Sequence, residues 1–282
     1  MRESRRAGTL GSVDPIDAAM AVARQLGLRA VSAVTLRDTN NVVLWLAPTA
    51  VVVKISTRGR GRLAEELRIA EYLASVGAPV VGPAREVPRR VHRVDRFDMT
   101  FWRYEPQHGA DISAQRLASA LHQLHDALAD MPSSVARDLP SYREEVDAAR
   151  QVLADPSALA ILEVNDREML GEVLDDTHEP TLATLHTLHG APHRLNVLVV
   201  DGEPRFIDFE TVCLGPLEWD LAHLEDDVAR HYPNALDSDT LRRCRTLVSA
   251  TTAVWCWEQA AQNPQMRWHA EYHLNVVREA TQ

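Results

Sequence analysis

The stretch from Asn196 to Asp208, NVLVVDGEPRFID, constrains this chain more than any other. Two apolar runs flank Asp201-Gly202, the best hairpin-turn signal in the sequence. A tight hairpin brings its ends together, so Asn196 and Asp208 are expected to converge at its open end. An amide oxygen and a carboxylate held there suit Mg2+, which takes one or two protein ligands when phosphates and water supply the rest. Taken alone, Asn196 would as readily cap a turn and Asp208 end a strand.

The surrounding chain changes character near its first third. A first helix is expected after Asp14, a good N-cap, with Pro15 at its first position and Gly27 as its stop. The segments VSAVTL, NVVLWLA and AVVVKIS read as strands joined by the turns RDTNN and PT. Next comes an amphipathic helix, with Leu63, Leu67, Ala70 and Leu73 on one side and Gly77 at its end. Short strands are expected at GPAREVP and MTFWRYE, then a connector from Tyr104 to Gly109. Beyond it, Leu117, Leu121, Leu124 and Leu128 mark a buried helix face. Helices follow at YREEVDAARQVLA, at DREMLGEVLDD and after Leu217, interrupted by short strands at ATLHTLHG and in the hairpin.

Lys54 stands among valines and Ile55 in VVVKIS. A lysine on a buried strand is costly unless paired. Its partner is expected on the next helix, where Glu66 fits best and Glu65 and Glu71 are alternatives. The competing reading is an edge-strand lysine that reaches water.

Composition removes other classes. At 45% hydrophobic and 25% charged residues, the chain can bury a real core and is not wholesale disordered. A net charge of -10 argues against a general nucleic-acid binder. Cys213, Cys244 and Cys256 form no CxxC pair and are odd in number, which implies no disulfide framework and a reduced, cytoplasmic setting. No run of about 18 apolar residues is present to span a membrane, and no signal peptide is read at the N-terminus.

HGAPHRLN, the hairpin, IDFE and GPLEWDLAHL together resemble the aminoglycoside phosphotransferase family of the protein-kinase-like superfamily. The likeness runs from about Val31 to His223. It implies an α+β, two-lobed protein-kinase-like fold, with a small N-terminal β-sheet lobe and a larger, mainly helical C-terminal lobe. Residues 1–12 would be a disordered tail, 13–104 the nucleotide-binding lobe and 105–282 the catalytic and substrate lobe. It further implies ATP-dependent transfer of a phosphate to a hydroxyl of a small molecule, such as an aminoglycoside or a related sugar or antibiotic, by a monomer or homodimer. Asn196 and Asp208 would hold Mg2+ against the ATP phosphates. Lys54 would touch those phosphates and Glu66 would hold Lys54. Thr39 and Asn41, in a loop without glycine, would donate side-chain hydrogen bonds to them. The backbone around Tyr104 would hold adenine. Asp220 would brace the catalytic loop, and His189 would orient its backbone.

One residue departs from the pattern. Where the family carries an acidic base, this chain has Ala191. General-base help is worth about 10²–10⁴ in rate, so its loss slows such an enzyme rather than abolishing it. Glu210 lies two residues past Asp208 and is expected on the same face if the strand continues. His193 lies two residues past Ala191 and titrates near neutrality. Glu210 is the preferred substitute. The alternative for the whole constellation is a nucleotide-binding pseudokinase with a regulatory role.

Three further features suggest ligands less directly. Glu225, Asp226 and Asp227 form an acidic run that would attract a cationic sugar, or simply a solvated helix face. Trp255, Trp257 and Trp268 would stack on a ring, or pack. His122 and His125 lack a metal-site pattern and read as ordinary surface or core histidines.

Overall fold

The computed structural model describes residues 14–39, 41–59, 61–106, 111–155, 159, 162–175, 185–260 and 263–282. The expected N-terminal tail, the connector after Pro106 and the start of ATLHTLHG lie outside them.

Helix α1 (Pro15–Gln25) begins as its sequence dictates: the Asp14 carboxylate accepts the Ile16 N–H at 2.7 Å. It buries Ala18, Ala19, Val22 and Ala23. Strands β1 (Ser32–Asp38), β2 (Val42–Ala47), β3 (Val51–Thr57), β4 (His92–Val94) and β5 (Phe97–Arg103) form an antiparallel sheet ordered β1-β2-β3-β5-β4. The near-continuous apolar run of β3 matches its central place, buried on both faces up to Ser56. Helix α2 (Leu63–Ser75) then crosses behind the sheet, with Leu63, Glu66, Leu67, Ala70 and Leu73 buried.

GPAREVP does not form the expected strand. It makes one isolated bridge, Pro83 to Trp102, and the Ala84 N–H donates to the Phe101 carbonyl at 3.0 Å. Pro83 and Pro88 have no N–H to give, so a regular ladder cannot extend through them.

The rest of the chain is mainly helical: α3 (Ala114–Ala129), α4 (Tyr142–Ala154), α5 (Val164–Leu174), α6 (Leu217–Ala222), α7 (Asp226–His231), α8 (Ser238–Ala260) and α9 (Pro264–Ala280). The leucine face of α3 is buried as its spacing predicts. Two small ribbons interrupt these helices: β6 (His186–Leu188) pairs with β9 (Cys213–Gly215), and β7 (Val197–Val200) with β8 (Glu203–Phe206). The β7–β8 hairpin is also the joint between sheet and helices. Phe206 donates its N–H to the Pro79 carbonyl at 2.8 Å, and its own carbonyl accepts from Val81 at 3.0 Å. Among the described residues no helix is long and apolar enough to cross a membrane. Cys213, Cys244 and Cys256 are in no disulfide among the described residues.

Candidate active site

The hairpin does what its sequence requires. Val197 pairs with Phe206, and the Ile207 N–H donates to the Asn196 carbonyl at 3.0 Å, closing the open end. Asp208 then adopts a left-handed conformation, with φ of 71°, which Asp tolerates better than most residues. The chain leaves the strand direction there and makes a short 3-10 turn over Phe209–Thr211.

Across the cleft, β3 delivers Lys54, whose side chain is 7% exposed. Its Nζ lies 2.9 Å from Glu66 Oε1, 2.7 Å from Asp208 Oδ1 and 2.9 Å from Glu210 Oε1. Glu66 is thus the helix partner. Glu65 binds Arg62 and Glu71 binds Arg89 instead. Burial alone would lower the Lys54 ammonium, but the charges of Glu66, Asp208 and Glu210 outweigh it and hold it above the ordinary lysine range. Burial pushes the Glu66 carboxyl up to about 8, since one ammonium is shared among three carboxylates. Lys54 keeps its charge even when Glu66 is protonated, because Asp208 and Glu210 remain beside it. Burial works to raise Asp208 too, but the Lys54 charge and hydrogen bond prevail and lower it.

Glu210 does join Asp208 beside Lys54, but not by strand alternation. The strand ends at Phe206, so the alternation argument fails at the left-handed Asp208. Its carboxylate is taken by Lys54 and by Asn41 Nδ2, at 3.2 Å. Asn41 therefore reaches the site through Glu210. Thr39 contributes a backbone N–H to the Asn41 carbonyl at 3.3 Å and does not line the cavity.

The catalytic-loop residues are fixed from below. Asp220, fully buried on α6, accepts the N–H groups of His189 at 2.9 Å and Gly190 at 2.8 Å, and is 2.8 Å from His125 Nε2. His125 also meets the Tyr232 hydroxyl at 2.7 Å, so it is a core histidine. Burial pushes the Asp220 carboxyl up, and the His125 hydrogen bond and charge bring it below its ordinary value. His189 is fully buried, with Nε2 3.0 Å from the Ile207 carbonyl, while its Nδ1 accepts the Ala191 N–H at 3.4 Å. Both ring nitrogens are committed to backbone, which removes His189 from the proton-transfer candidates and leaves it an orienting residue.

His193 is placed differently. Its Nε2 is 3.4 Å from Asn196 Nδ2, which donates to the Ala191 carbonyl at 3.1 Å. Its Nδ1 is buried and has no partner among the described residues. Burial, then the charges of His189 and Arg37, lower its pKa and keep the ring neutral at pH 7.

Because Asn196 Nδ2 is used on Ala191, its Oδ1 faces Asp208 across Arg37. Arg37 Nη1 donates to Asn196 Oδ1 at 3.2 Å and lies 3.7 Å from Asp208 Oδ2, while Nη2 donates to the Leu195 carbonyl at 2.5 Å. An amide oxygen and a carboxylate are hard donors that fit Mg2+ with few protein ligands. The carboxylates of Glu66, Asp208 and Glu210 also cluster, but Lys54 already sits among them.

These groups close one side of a cavity of about 440 Å³. Arg37, Lys54, Glu66 and Asp208 line it on the charged side, and Val52, Val81, Leu198 and Ile207 supply apolar walls. Tyr104 also lines it, its ring stacked on Trp45 with centroids 4.4 Å apart. The amides of Arg103 and Tyr104, expected to meet a base, donate instead to Gly82 at 3.1 Å and Ala50 at 2.9 Å.

Two readings of charge and aromatic clusters are settled. Glu225 pairs with Arg194 at 2.9 Å, Asp226 with Arg245 at 2.8 Å, and Asp227 with Arg230, so the acidic run is ion-paired. Trp257 is buried, Trp255 donates to Glu145 at 2.8 Å, and Trp268 stacks on Tyr272, so the three make no common platform.

A small sheet and a helical part, joined around a cleft with a paired strand lysine and an Asn/Asp hairpin, define a protein-kinase-like molecule. Residues 31–243 match the phosphotransferase enzyme family (APH), and the chain belongs to it. Among solved structures it is similar to spectinomycin phosphotransferase APH(9)-Ia in complex with ADP and spectinomycin, at 17% identity and TM-score 0.66, covering 95% of this chain and 98% of that one. It is also similar to the amicoumacin kinase hAmiN in complex with AMP-PNP, Ca2+ and Ami, at 15% identity and TM-score 0.68, covering 94% of each chain. Choline kinase LicA from Streptococcus pneumoniae follows at 13% identity and TM-score 0.65, covering 93% of this chain and 98% of that one. At such identities these likenesses carry the fold. No curated protein matches the chain.

Proposed function

We propose that the chain transfers a phosphate from Mg-ATP to a hydroxyl of a small molecule, an aminoglycoside or related sugar-like antibiotic. The observation that carries this reading is that the ion-paired Lys54 and Asp208 line one cavity that also has apolar walls for a base, with Asn196 tied to its rim through Arg37. Structural neighbours bound to ADP with spectinomycin and to AMP-PNP support the same assignment.

Lys54 holds the phosphates, and Glu66 and Glu210 hold Lys54. Asn196 and Asp208 would hold Mg2+, which would neutralise charge on the phosphates. Positioning and electrostatics supply most of phosphoryl-transfer catalysis, so Ala191 is compatible with turnover. His193 takes the acceptor's proton in this reading. It is neutral, meets the same Asn196 amide that donates to the Ala191 carbonyl, and has a buried Nδ1 without a partner among the described residues that would have to turn toward the cleft to meet an acceptor, whereas Glu210 is engaged by Lys54 and Asn41. The protein would work as a nucleotide-binding lobe over residues 13–104 and a substrate lobe over 105–282, in the cytoplasm.

The test is ADP release from Mg-ATP across amino sugars, other sugars, macrolides and choline. Turnover of at least one acceptor is expected. His193→Ala should lower kcat by about 10²–10⁴ with nucleotide affinity unchanged, and Ala191→Asp should raise it. Failure to bind Mg-ATP overturns the whole reading. Binding without turnover in both the parent and Ala191→Asp sinks the transfer step.

A further inference from the structure

We propose that Arg37 exchanges between the hairpin oxygens of Asn196 and Asp208 and the phosphates of the nucleotide, so that metal loading and phosphate capture are coupled through one side chain. The inference rests on the reading of Asn196 and Asp208 as metal ligands.

Arg37 reaches the site by register. It pairs across β2 with Val43, Val43 pairs with Lys54, and Lys54 with Thr100. Directly paired residues share a sheet face, so Arg37 and Lys54 both point into the cleft. The register slips between Thr35 and Arg37, an irregularity of the kind that re-aims a side chain. The guanidinium then spans the cleft to the catalytic loop and makes three contacts there: Leu195 O at 2.5 Å, Asn196 Oδ1 at 3.2 Å and Asp208 Oδ2 at 3.7 Å.

The last two atoms are the ones a divalent cation would take. Asn196 has a single side-chain oxygen, and the bond from its amide nitrogen to the Ala191 carbonyl fixes the way that oxygen faces. A guanidinium and a metal ion repel each other and compete for the same lone pairs, so metal at Asn196 and Asp208 displaces Arg37. The side chain lines the same cavity as Lys54, about a third exposed, and is free to turn toward it. A planar fork of N–H donors matches phosphate oxygens better than any other side chain. The sequence from Arg37 to Asn41 has no glycine, and the Thr39 N–H is spent on the Asn41 carbonyl rather than turned to the cavity. Arg37 supplies by side chain what a glycine-rich loop supplies by main chain. A purely structural Arg37 would instead be an inter-lobe ion pair with no bearing on metal affinity.

Mn2+ is the probe, because its free form is counted by electron paramagnetic resonance without turnover. Without nucleotide, Arg37→Ala should bind Mn2+ at least about tenfold more tightly than the parent, since removing the guanidinium frees both oxygens from charge-assisted bonds. With saturating Mn2+, AMP-PNP should bind the same variant about tenfold more weakly than the parent. Unchanged Mn2+ affinity, a weaker one, or no Mn2+ binding by either protein overturns the exchange, as does unchanged AMP-PNP affinity. Asp208→Asn separates the two readings. If it leaves Mn2+ binding intact in the presence of AMP-PNP, the metal assignment itself fails. If it abolishes that binding while Arg37→Ala changes nothing, only the exchange fails.

Discussion

Lys54 Nζ lies 2.7 Å from Asp208 Oδ1, closer than to Glu66 at 2.9 Å, so one buried ammonium ties the central strand to both the helix and the hairpin. Removing it leaves three carboxylates facing one another. Lys54→Met is expected to lower stability by about 3–5 kcal/mol, the scale for breaking a buried pair. The deficit should widen from about pH 8 to pH 10, above the Glu66 value of about 8 in the parent. Without Lys54 the Glu66 carboxyl rises further above its unfolded value, and a raised carboxyl loses stability as it is forced to ionise. Urea unfolding of both proteins at the two pH values checks this; a pH-independent difference would contradict it.

Asp220 is the brace of the catalytic loop, accepting the N–H groups of His189 and Gly190 and meeting His125. Asp220→Ala leaves two buried N–H groups without acceptors, each costing about 1–3 kcal/mol. The expected result is a large drop in Tm together with faster amide exchange at His189 and Gly190. Protection at those two amides equal to the parent's would show that another group holds the loop.

What was legible in the sequence was the local chemistry with an energetic penalty attached. Lys54 among valines had to be paired, and the helix that follows offered Glu66. The Asp201-Gly202 turn had to bring Asn196 near Asp208. What escaped reading depends on where the chain bends away from a regular pattern. Glu210 was placed by strand alternation, but the left-handed Asp208 ends that alternation and sends Glu210 to Lys54. Arg37 was read only as part of a polar turn, because its target lies 159 residues away at Asn196 and is found through two strand pairings and a register slip. GPAREVP has strand-like residues, yet its prolines limit it to a single bridge.

Gly190 stands between His189 and Ala191 at a φ of 91°, and a Cβ there would lie 1.9 Å from the Thr211 carbonyl oxygen. No side chain fits against backbone at that distance, so Gly190→Ala must shift the catalytic loop or the 3-10 turn. It should fail to accumulate as folded protein, or fold with a severely lowered Tm. Gly202 is the control. Its φ is also positive, at 76°, but a Cβ would meet nothing nearer than Arg116 Nη1 at 3.8 Å. Gly202→Ala should therefore lose only about 1–2 kcal/mol, the cost of a left-handed alanine. Equal losses in the two variants would mean that the Thr211 contact is not what requires glycine.

His223 sets a pH limit on the fold. Burial, foremost, and then the charges of His193 and His189 lower its pKa to about 3, against the opposing pull of Asp220. Its Nε2 is buried without a hydrogen-bond partner among the described residues. The ring is therefore neutral in the native state, and its folded pKa lies below its unfolded value of 6.5. Between about 3 and 6.5 the unfolded chain binds the proton and the folded chain does not, so stability rises with pH through this window. Each pH unit below the unfolded value costs up to about 1.4 kcal/mol. Acidifying from pH 7 to pH 5 should lower Tm, and His223→Gln should flatten that dependence while leaving a stability loss at pH 7. A melting curve for His223→Gln with the parent's full pH slope would place the acid sensitivity in other groups, such as His189 and His193, which burial also holds below the ordinary histidine value.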